Sequence, residues 1–462
     1  MTIFEKLNQF LDSIMDEVFM LFVVFMIFCM MYRHRERLAY FFQKHLKFAF
    51  RGNASGIVFG NFSEGVLTSP ASHEGHVFVQ GGTGSGKTQA VVLPTLNTFV
   101  RGGRCFVIDI SGDIIKNVDA QKLVYDVTNP KTIPYNVFYM ADREKAFSKT
   151  NERLEALALL LMPDDSAMND TSRFFNTEGR KILTSALIAF YHSGKDFIEI
   201  CEIIYKNSWM DLFKKIDECQ IPLASELLNS FMGCSEQNNA GCKQSCDASI
   251  KLFATNEDLK KTIRRPRKLA SGKHEASVSP RMLEKTNVFI YVPDENLELY
   301  VDLIRVITGQ CLAYMSGRPE TNKIPILFCL DEFASFKVNM LAALRKFRKK
   351  HVRIMVLTQS IEDVSLNYGE KERNAMFANF DFKLCLGANT PEEQEWWAKL
   401  AGYKDVEKRS VSRSSNGTSE TVSDGKEWAI APAEWSRLDK HLVLVHKKGF
   451  IKLRKNYYYK YY

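Results

Sequence analysis

The run Gly81-Gly82-Thr83-Gly84-Ser85-Gly86-Lys87-Thr88 has the residue types and spacing to hold a polyphosphate. Glycines let the backbone turn tightly, so that N–H groups point into one hollow. A helix that starts after the loop adds the positive end of its dipole. Lys87 is expected to reach the β- and γ-phosphates, and the Thr88 hydroxyl to ligate Mg²⁺. The flanks agree with this reading: Val77-Phe78-Val79 before the loop reads as strand, and residues 89–93 after it read as helix. A glycine-rich turn that binds nothing would need neither flank.

A second set of groups begins far downstream. Residues 324–330 form an apolar run that ends in Asp331-Glu332, the Walker B pattern. Asp331 is expected to hold Mg²⁺, directly or through water, and Glu332 to act as general base on the attacking water. The plain alternative is a strand followed by an acid-rich helix start; the phosphate loop upstream favours the chemistry. A further strand, 352–357, ends in Thr358-Gln359-Ser360, which puts Gln359 where a γ-phosphate sensor belongs. Asp109 closes another apolar run, Cys105-Phe106-Val107-Ile108-Asp109-Ile110, read as a buried parallel strand with an acid at its ligand-binding edge.

These groups need a sheet to carry them, and the rest of the chain reads accordingly. Pro94 predicts that the helix after the loop kinks or restarts, since proline in a helix interior costs about 3 kcal/mol. Residues 287–292 return to strand character and residues 382–386 and 442–445 read as further strands. From 142 to 284 the spacing is helical, which predicts an all-α insertion. Its basic stretch, 260–273, holds seven Lys/Arg and no acid. It reads as a solvated loop or as a nucleic-acid contact. Residues 408–426, rich in Ser, Thr and Gly, are expected to be a flexible loop.

Composition sets outer limits. The chain has 462 residues, 45% of them hydrophobic and 25% charged, enough for two or three domains with real cores. A net charge of +8 does not by itself argue for nucleic acid. Ten cysteines lie mostly inside apolar segments, which excludes a secreted disulfide framework. Cys219, Cys234, Cys242 and Cys246 lack standard zinc spacing and read as structural thiols.

Residues 18–32 are an uncharged apolar run of 15 residues, followed by Arg33, Arg35 and Arg37. A full span needs about 17–25 residues, so this one is short. The cations behind it predict a single anchor with the N-terminus outside and the bulk of the chain in the cytoplasm. A signal peptide would carry its charge in front and a small-residue cleavage site behind. Residues 38–50 mix aromatic and basic side chains, as suits a membrane interface.

Taken in order, these residues resemble the type IV coupling proteins, the TraG/TraD-like ATPases of bacterial conjugation and type IV secretion. The resemblance spans about residues 55–455. It rests on Gly75-His76, the phosphate loop with Pro94 behind it, and Val107-Ile108-Asp109. It continues through Asn287 to Asp294, Leu330-Asp331-Glu332-Phe333-Ala334-Ser335, Gln359-Ser360 and Tyr368-Gly369. It implies an α/β fold: a RecA-like P-loop NTPase domain with an inserted all-α domain and an N-terminal transmembrane helix. The expected parts are an anchor at 1–52, a nucleotide-binding domain split between 53–141 and 285–462, and the insertion at 142–284. The resemblance also implies ATP and Mg²⁺ as ligands and a hexamer at the bacterial inner membrane. That ring would deliver relaxase-bound single-stranded DNA, or protein substrates, to the channel proteins. Arg348, eleven residues before Gln359, matches the place of the family's trans-acting arginine. A solvated basic helix face is the competing reading, because Arg345, Lys346, Lys349, Lys350 and Arg353 lie beside it.

Two departures stand out. Family members usually carry two N-terminal spans, and one is found here. Ser111-Gly112-Asp113 stands where Lys-Gly-Glu is common. Two other functions fit less well: a platform that recruits protein effectors through the helical insertion, and a double-stranded DNA translocase. The latter would need a DNA-reading module, whereas the stretch up to Tyr462 reads as the last strands.

Overall fold

The computed structural model describes residues 56–62, 65–164, 168–414 and 417–460. The anchor expected at 1–52 lies outside them. Among the described residues no helix is long and apolar enough to cross a membrane.

The strands in chain order are β1 (Gly56–Phe62), β2 (Gly65–Pro70), β3 (His76–Gln80), β4 (Arg104–Asp109), β5 (Lys122–Asp126), β6 (Asn287–Tyr291) and β7 (Ile326–Leu330). They are followed by β8 (Val352–Thr358), β9 (Phe380–Cys385), β10 (Tyr403–Ser414), β11 (Gly417–Trp428), β12 (His441–His446) and β13 (Gly449–Arg454). Eleven of them form one mixed sheet in the order β2-β1-β13-β12-β9-β3-β8-β7-β4-β6-β5. From β9 to β5 the pairing is parallel. From β2 to β12, and between β12 and β9, it is antiparallel.

The apolar runs become central strands because both faces of the sheet are covered. Alternate side chains enter different cores. Phe106, Ile108, Phe328 and Leu330 join one cluster, while Cys105, Val107, Leu327 and Cys329 join the other. β3, β7 and β8 are buried along their whole length.

Between β5 and β6 the described chain carries helices and no strand. The longest are Asp170–His192 and Glu236–Thr255. Their starts are capped by Asn169 and Ser235, whose side chains accept backbone N–H bonds three residues on. The two helices cross closely at Gly179, where an added Cβ would lie 2.7 Å from the Cys242 carbonyl. Cys242 and Cys246 are buried in that crossing. The helices share one hydrophobic cluster with a face of the sheet, through Leu183, Ile250, Phe106 and Tyr125.

One expectation is corrected. Residues 408–414 and 417–426 are not a loop: β10 and β11 pair in register from Tyr403↔Trp428 to Ser414↔Gly417. Ser, Thr and Gly read as linker by composition, yet the two segments pair along their length, with Tyr403 stacked on Trp428 at the base, ring centroids 4.4 Å apart. In the basic stretch 260–273, Lys260, Lys261, Arg264 and Arg265 are ion-paired within the chain. Lys260 pairs with Glu202 and Glu257, Lys261 with Asp258, and Arg264 with Glu275. Arg265 grips Asp142 through Nε at 3.0 Å and Nη2 at 2.7 Å. Of these acids, Glu202 and Asp142 are distant in sequence and are brought near by folding.

Candidate nucleotide-binding and hydrolytic site

Parallel strands present their C-terminal ends on one edge of the sheet, and that edge collects the candidate residues. β3 runs into the phosphate loop, β7 into Asp331-Glu332 and β8 into Gln359. β8 lies between β3 and β7, so Gln359 sits between the loop and the acids.

The loop is anchored by Gly81 N–H to the Thr358 carbonyl at 3.2 Å. Gly84 and Gly86 take φ of +74° and +90°, a region that favours glycine. Gly82 allows Asn389 to approach, since an added Cβ would lie 2.6 Å from Asn389 Nδ2. After the loop comes a π-helical turn, Thr88–Val92, and then the α-helix Leu93–Phe99 with Pro94 in its first turn. Proline is tolerated there because it directly follows the π-helical turn, where Leu93 N–H bonds the Thr88 carbonyl and the regular i→i−4 ladder is already interrupted. Lys87 Nζ folds back to the Gly81 carbonyl at 2.5 Å. Burial lowers its pKa, while Glu332, Asp331 and Asp363 pull the other way. Ser85 Oγ and Gln89 Oε1 are buried and lack a hydrogen-bond partner among the described residues.

Glu332 takes a left-handed conformation, φ 46° and ψ 44°, two residues past the end of β7. Such a turn in a non-glycine residue is uncommon. Its carboxylate accepts from Gln359 Nε2 at 2.9 Å, and Thr83 Oγ1 donates to Gln359 Oε1 at 3.0 Å. Asp331 is 7% exposed. Its carboxyl is pushed up to about 7 by burial and then by the charge of Glu332, with Lys87 opposing. A buried acid held near neutrality in this way suits a place where a cation completes the charge.

Asp109 lies on the same edge, but its carboxylate caps the short helix Asp113–Asn117. It accepts from Gly112 N at 2.9 Å, Ile115 N at 2.8 Å and Ser111 Oγ at 3.3 Å.

Arg348 is not at this chain's own phosphate loop. It precedes β8, whereas Gln359 follows it, and a seven-residue strand rises about 23 Å. Arg348 pairs with Asp381 at 2.9 Å and donates to the Asn379 carbonyl at 3.2 Å. Its neighbours do not form one uniform basic face. Arg353 is buried and donates to the Gly75 and Pro70 carbonyls, at 2.7 and 3.0 Å. Lys350 donates to the Arg318 carbonyl at 2.6 Å. Arg345, Lys346 and Lys349 are exposed.

Sequence reasoning missed Glu393. Its carboxylate is 3% exposed and accepts from Ile361 N at 2.9 Å and Asn389 N at 3.3 Å. It thereby joins the segment after Gln359 to the segment that packs on Gly82. In sequence it is an ordinary acid in the first turn of helix Pro391–Ala401, with no signal to set it apart. Gln80, the last residue of β3, was missed for the same reason; Trp397 Nε1 donates to its Oε1.

Comparison with known proteins bears on what this edge does. The family model described as Type IV secretory system Conjugative DNA transfer matches residues 34–461. The type IV secretion system-coupling protein VirD4 of Bartonella henselae is 22% identical over 359 residues, covering 73% of this chain and 54% of that protein. Protein VirD4 of Rhizobium radiobacter is 22% identical over 413 residues, covering 83% and 57%. The chain thus spans little more than half the length of the curated relatives it matches. Among solved structures, the unbound bacterial conjugative coupling protein TrwBΔN70 superposes with a TM-score of 0.72 at 19% identity, covering 89% of this chain and 90% of that one. TrwB in complex with ADP and Mg²⁺ gives a TM-score of 0.70 at 19% identity, covering 89% and 91%. These two likenesses establish a shared fold.

Proposed function

Because the chain belongs to the type IV secretory system conjugative DNA transfer family, we propose that it is a coupling-protein ATPase that moves DNA into a secretion channel. It binds ATP with Mg²⁺ and works as a hexamer at the inner membrane, anchored by its N-terminal apolar run with the bulk of the chain in the cytoplasm. Its cargo is single-stranded DNA carrying a relaxase, and its partners are the channel proteins.

One observation carries this reading: Lys87, Asp331, Glu332 and Gln359 converge on one sheet edge, with Gln359 bridging Thr83 and Glu332. Gly81, Gly82, Thr83, Gly84, Ser85 and Gly86 cradle the phosphates through backbone N–H groups. Lys87 leaves the Gly81 carbonyl to meet the β- and γ-phosphates. Glu332 takes a proton from the attacking water, and Gln359 orients that water and the γ-phosphate. Arg348 of a neighbouring copy stabilises the charge that develops in the transition state. Thr88 and Asp331 would hold Mg²⁺, which when bound supplies positive charge against the phosphate oxygens. The donor set supports this: a hydroxyl and a buried carboxyl whose ionised form a cation beside it would favour. The TrwB complex with ADP and Mg²⁺ supports the same choice of ligands.

The test is ATP hydrolysis by the full chain in detergent, with and without single-stranded DNA. Lys87→Ala is expected to abolish hydrolysis, and DNA to stimulate the wild type. An unchanged rate in Lys87→Ala refutes the proposal.

A further inference from the structure

The chain reaches the phosphate loop once more, at its far end. β13 is antiparallel to β12, and β12 is antiparallel to β9, so β13 runs in the same direction as β9 and β3. The chain leaving Arg454 therefore emerges on the edge that carries the loop. Its next residues are fixed in place. Lys455 Nζ donates to the Leu386 carbonyl at 3.3 Å, and Asn61 Nδ2 donates to Asn456 Oδ1 at 3.1 Å. The Tyr458 hydroxyl donates to the Asn117 carbonyl at 3.0 Å.

Between these anchors, Tyr457 lies against the loop: an added Cβ on Gly86 would be 3.1 Å from Tyr457 Cε1. The Tyr459 ring lies beside it, with centroids 5.3 Å apart and planes 30° apart. Tyr459 is 64% exposed. A triphosphate gripped by residues 81–88 leaves its nucleoside outside the cradle, next to the start of the following helix. The loop's own side chains, Thr83, Ser85 and Thr88, are small and polar. An aromatic ring set rigidly beside them offers a base what they lack, a flat apolar face.

We propose that Tyr457, with Tyr459 beside it, is the platform on which the purine ring of the bound nucleotide stacks. This rests on the nucleotide chemistry proposed for the loop. Stacking uses the π-face that every base presents, so adenine and guanine are both accepted and discrimination between them is weak.

The test uses the full chain in detergent with Mg²⁺, titrated calorimetrically with ATP, GTP and inorganic tripolyphosphate, the last as a phosphate-only probe. Tyr457→Ala is expected to weaken ATP and GTP about 5- to 100-fold and to leave tripolyphosphate within about twofold. Tyr457→Phe, which keeps the ring, is expected to bind ATP like the wild type. Tyr457→Leu keeps bulk against Gly86 without a ring, so it supplies the same comparison if the alanine variant fails to fold. The inference is overturned if ATP affinity is unchanged in both ring-less variants. It is also overturned if ATP and tripolyphosphate weaken together, since the ring then only buttresses the loop. A wild type that binds tripolyphosphate and ATP equally well overturns the stacking platform alone; one that binds neither overturns the nucleotide reading with it.

Discussion

Gln359 is held from both sides: Thr83 Oγ1 donates to its carbonyl oxygen at 3.0 Å, and its amide donates to Glu332 Oε1 at 2.9 Å. One side chain thus links the phosphate loop to the acid assigned to activate water. Glu332→Gln is expected to lower kcat about 10²- to 10⁴-fold with nucleotide affinity retained. Gln359→Ala is expected to lower it about 10²-fold. Groups that act as a unit are not additive, so the double variant should lose little beyond Glu332→Gln. A kcat loss equal to the product of the single effects counts against the link.

Arg348 lies at the opposite end of β8 from Gln359, paired with Asp381. Acting in trans, it should matter only in the assembled ring. Arg348→Ala is expected to keep nucleotide affinity and lose about 10³-fold in hydrolysis. Mixing it with the Lys87→Ala variant should restore part of the rate, because some interfaces regain both groups. The rate of mixed oligomers checks this, and no recovery in mixtures shown to exchange subunits would exclude a trans role.

Glu393 holds two backbone N–H groups and is buried. Glu393→Ala leaves both donors unpaired and is expected to cost about 2–4 kcal/mol in urea unfolding. Because Ile361 follows Gln359 by two residues, kcat should fall more than nucleotide affinity. Wild-type stability in the variant would show that the carboxylate is dispensable.

His76 is fully buried, and burial is the main reason its pKa drops to about 3. Its Nε2 faces the Leu344 carbonyl at 3.0 Å and its Nδ1 accepts from Ile354 N at 3.1 Å. The folded protein therefore holds the neutral ring. The unfolded chain binds a proton below about pH 6.5, so stability from this group is present above that pH and is lost as pH falls from about 6.5 toward 3. The slope approaches about 1.4 kcal/mol per pH unit. His76→Gln is expected to be less stable at pH 7.5, with the gap to wild type narrowing toward pH 5. Urea titrations at both pH values measure it, and a constant gap would contradict the neutral-ring account.

The turn of the phosphate loop and the strand end at Asp331-Glu332 were legible because they are local. Contiguous residues set the turn, and the apolar runs beside them mark strands buried on both faces. The same logic exposed β3, β4, β6, β7 and β8. It failed at β10 and β11, which among the described residues form a two-stranded sheet of their own and lack an apolar run. At 260–273 no local pattern points to Glu202 and Asp142, the distant acids that pair Lys260 and Arg265.

What the sequence determined by itself, then, is which residues could grip a phosphate, hold a cation and activate water, since each capacity rests on side-chain type and near-neighbour spacing. Only the tertiary structure decided which of them meet. The strand order β9-β3-β8-β7-β4 places Gln359 between Thr83 and Glu332, turns Asp109 to capping a helix, and sends Arg348 to the far edge. The direction of β13 brings Tyr457 against Gly86. Hydrogen bonds between strands and burial on both faces set that order, and they join residues hundreds of positions apart, beyond the reach of any local pattern.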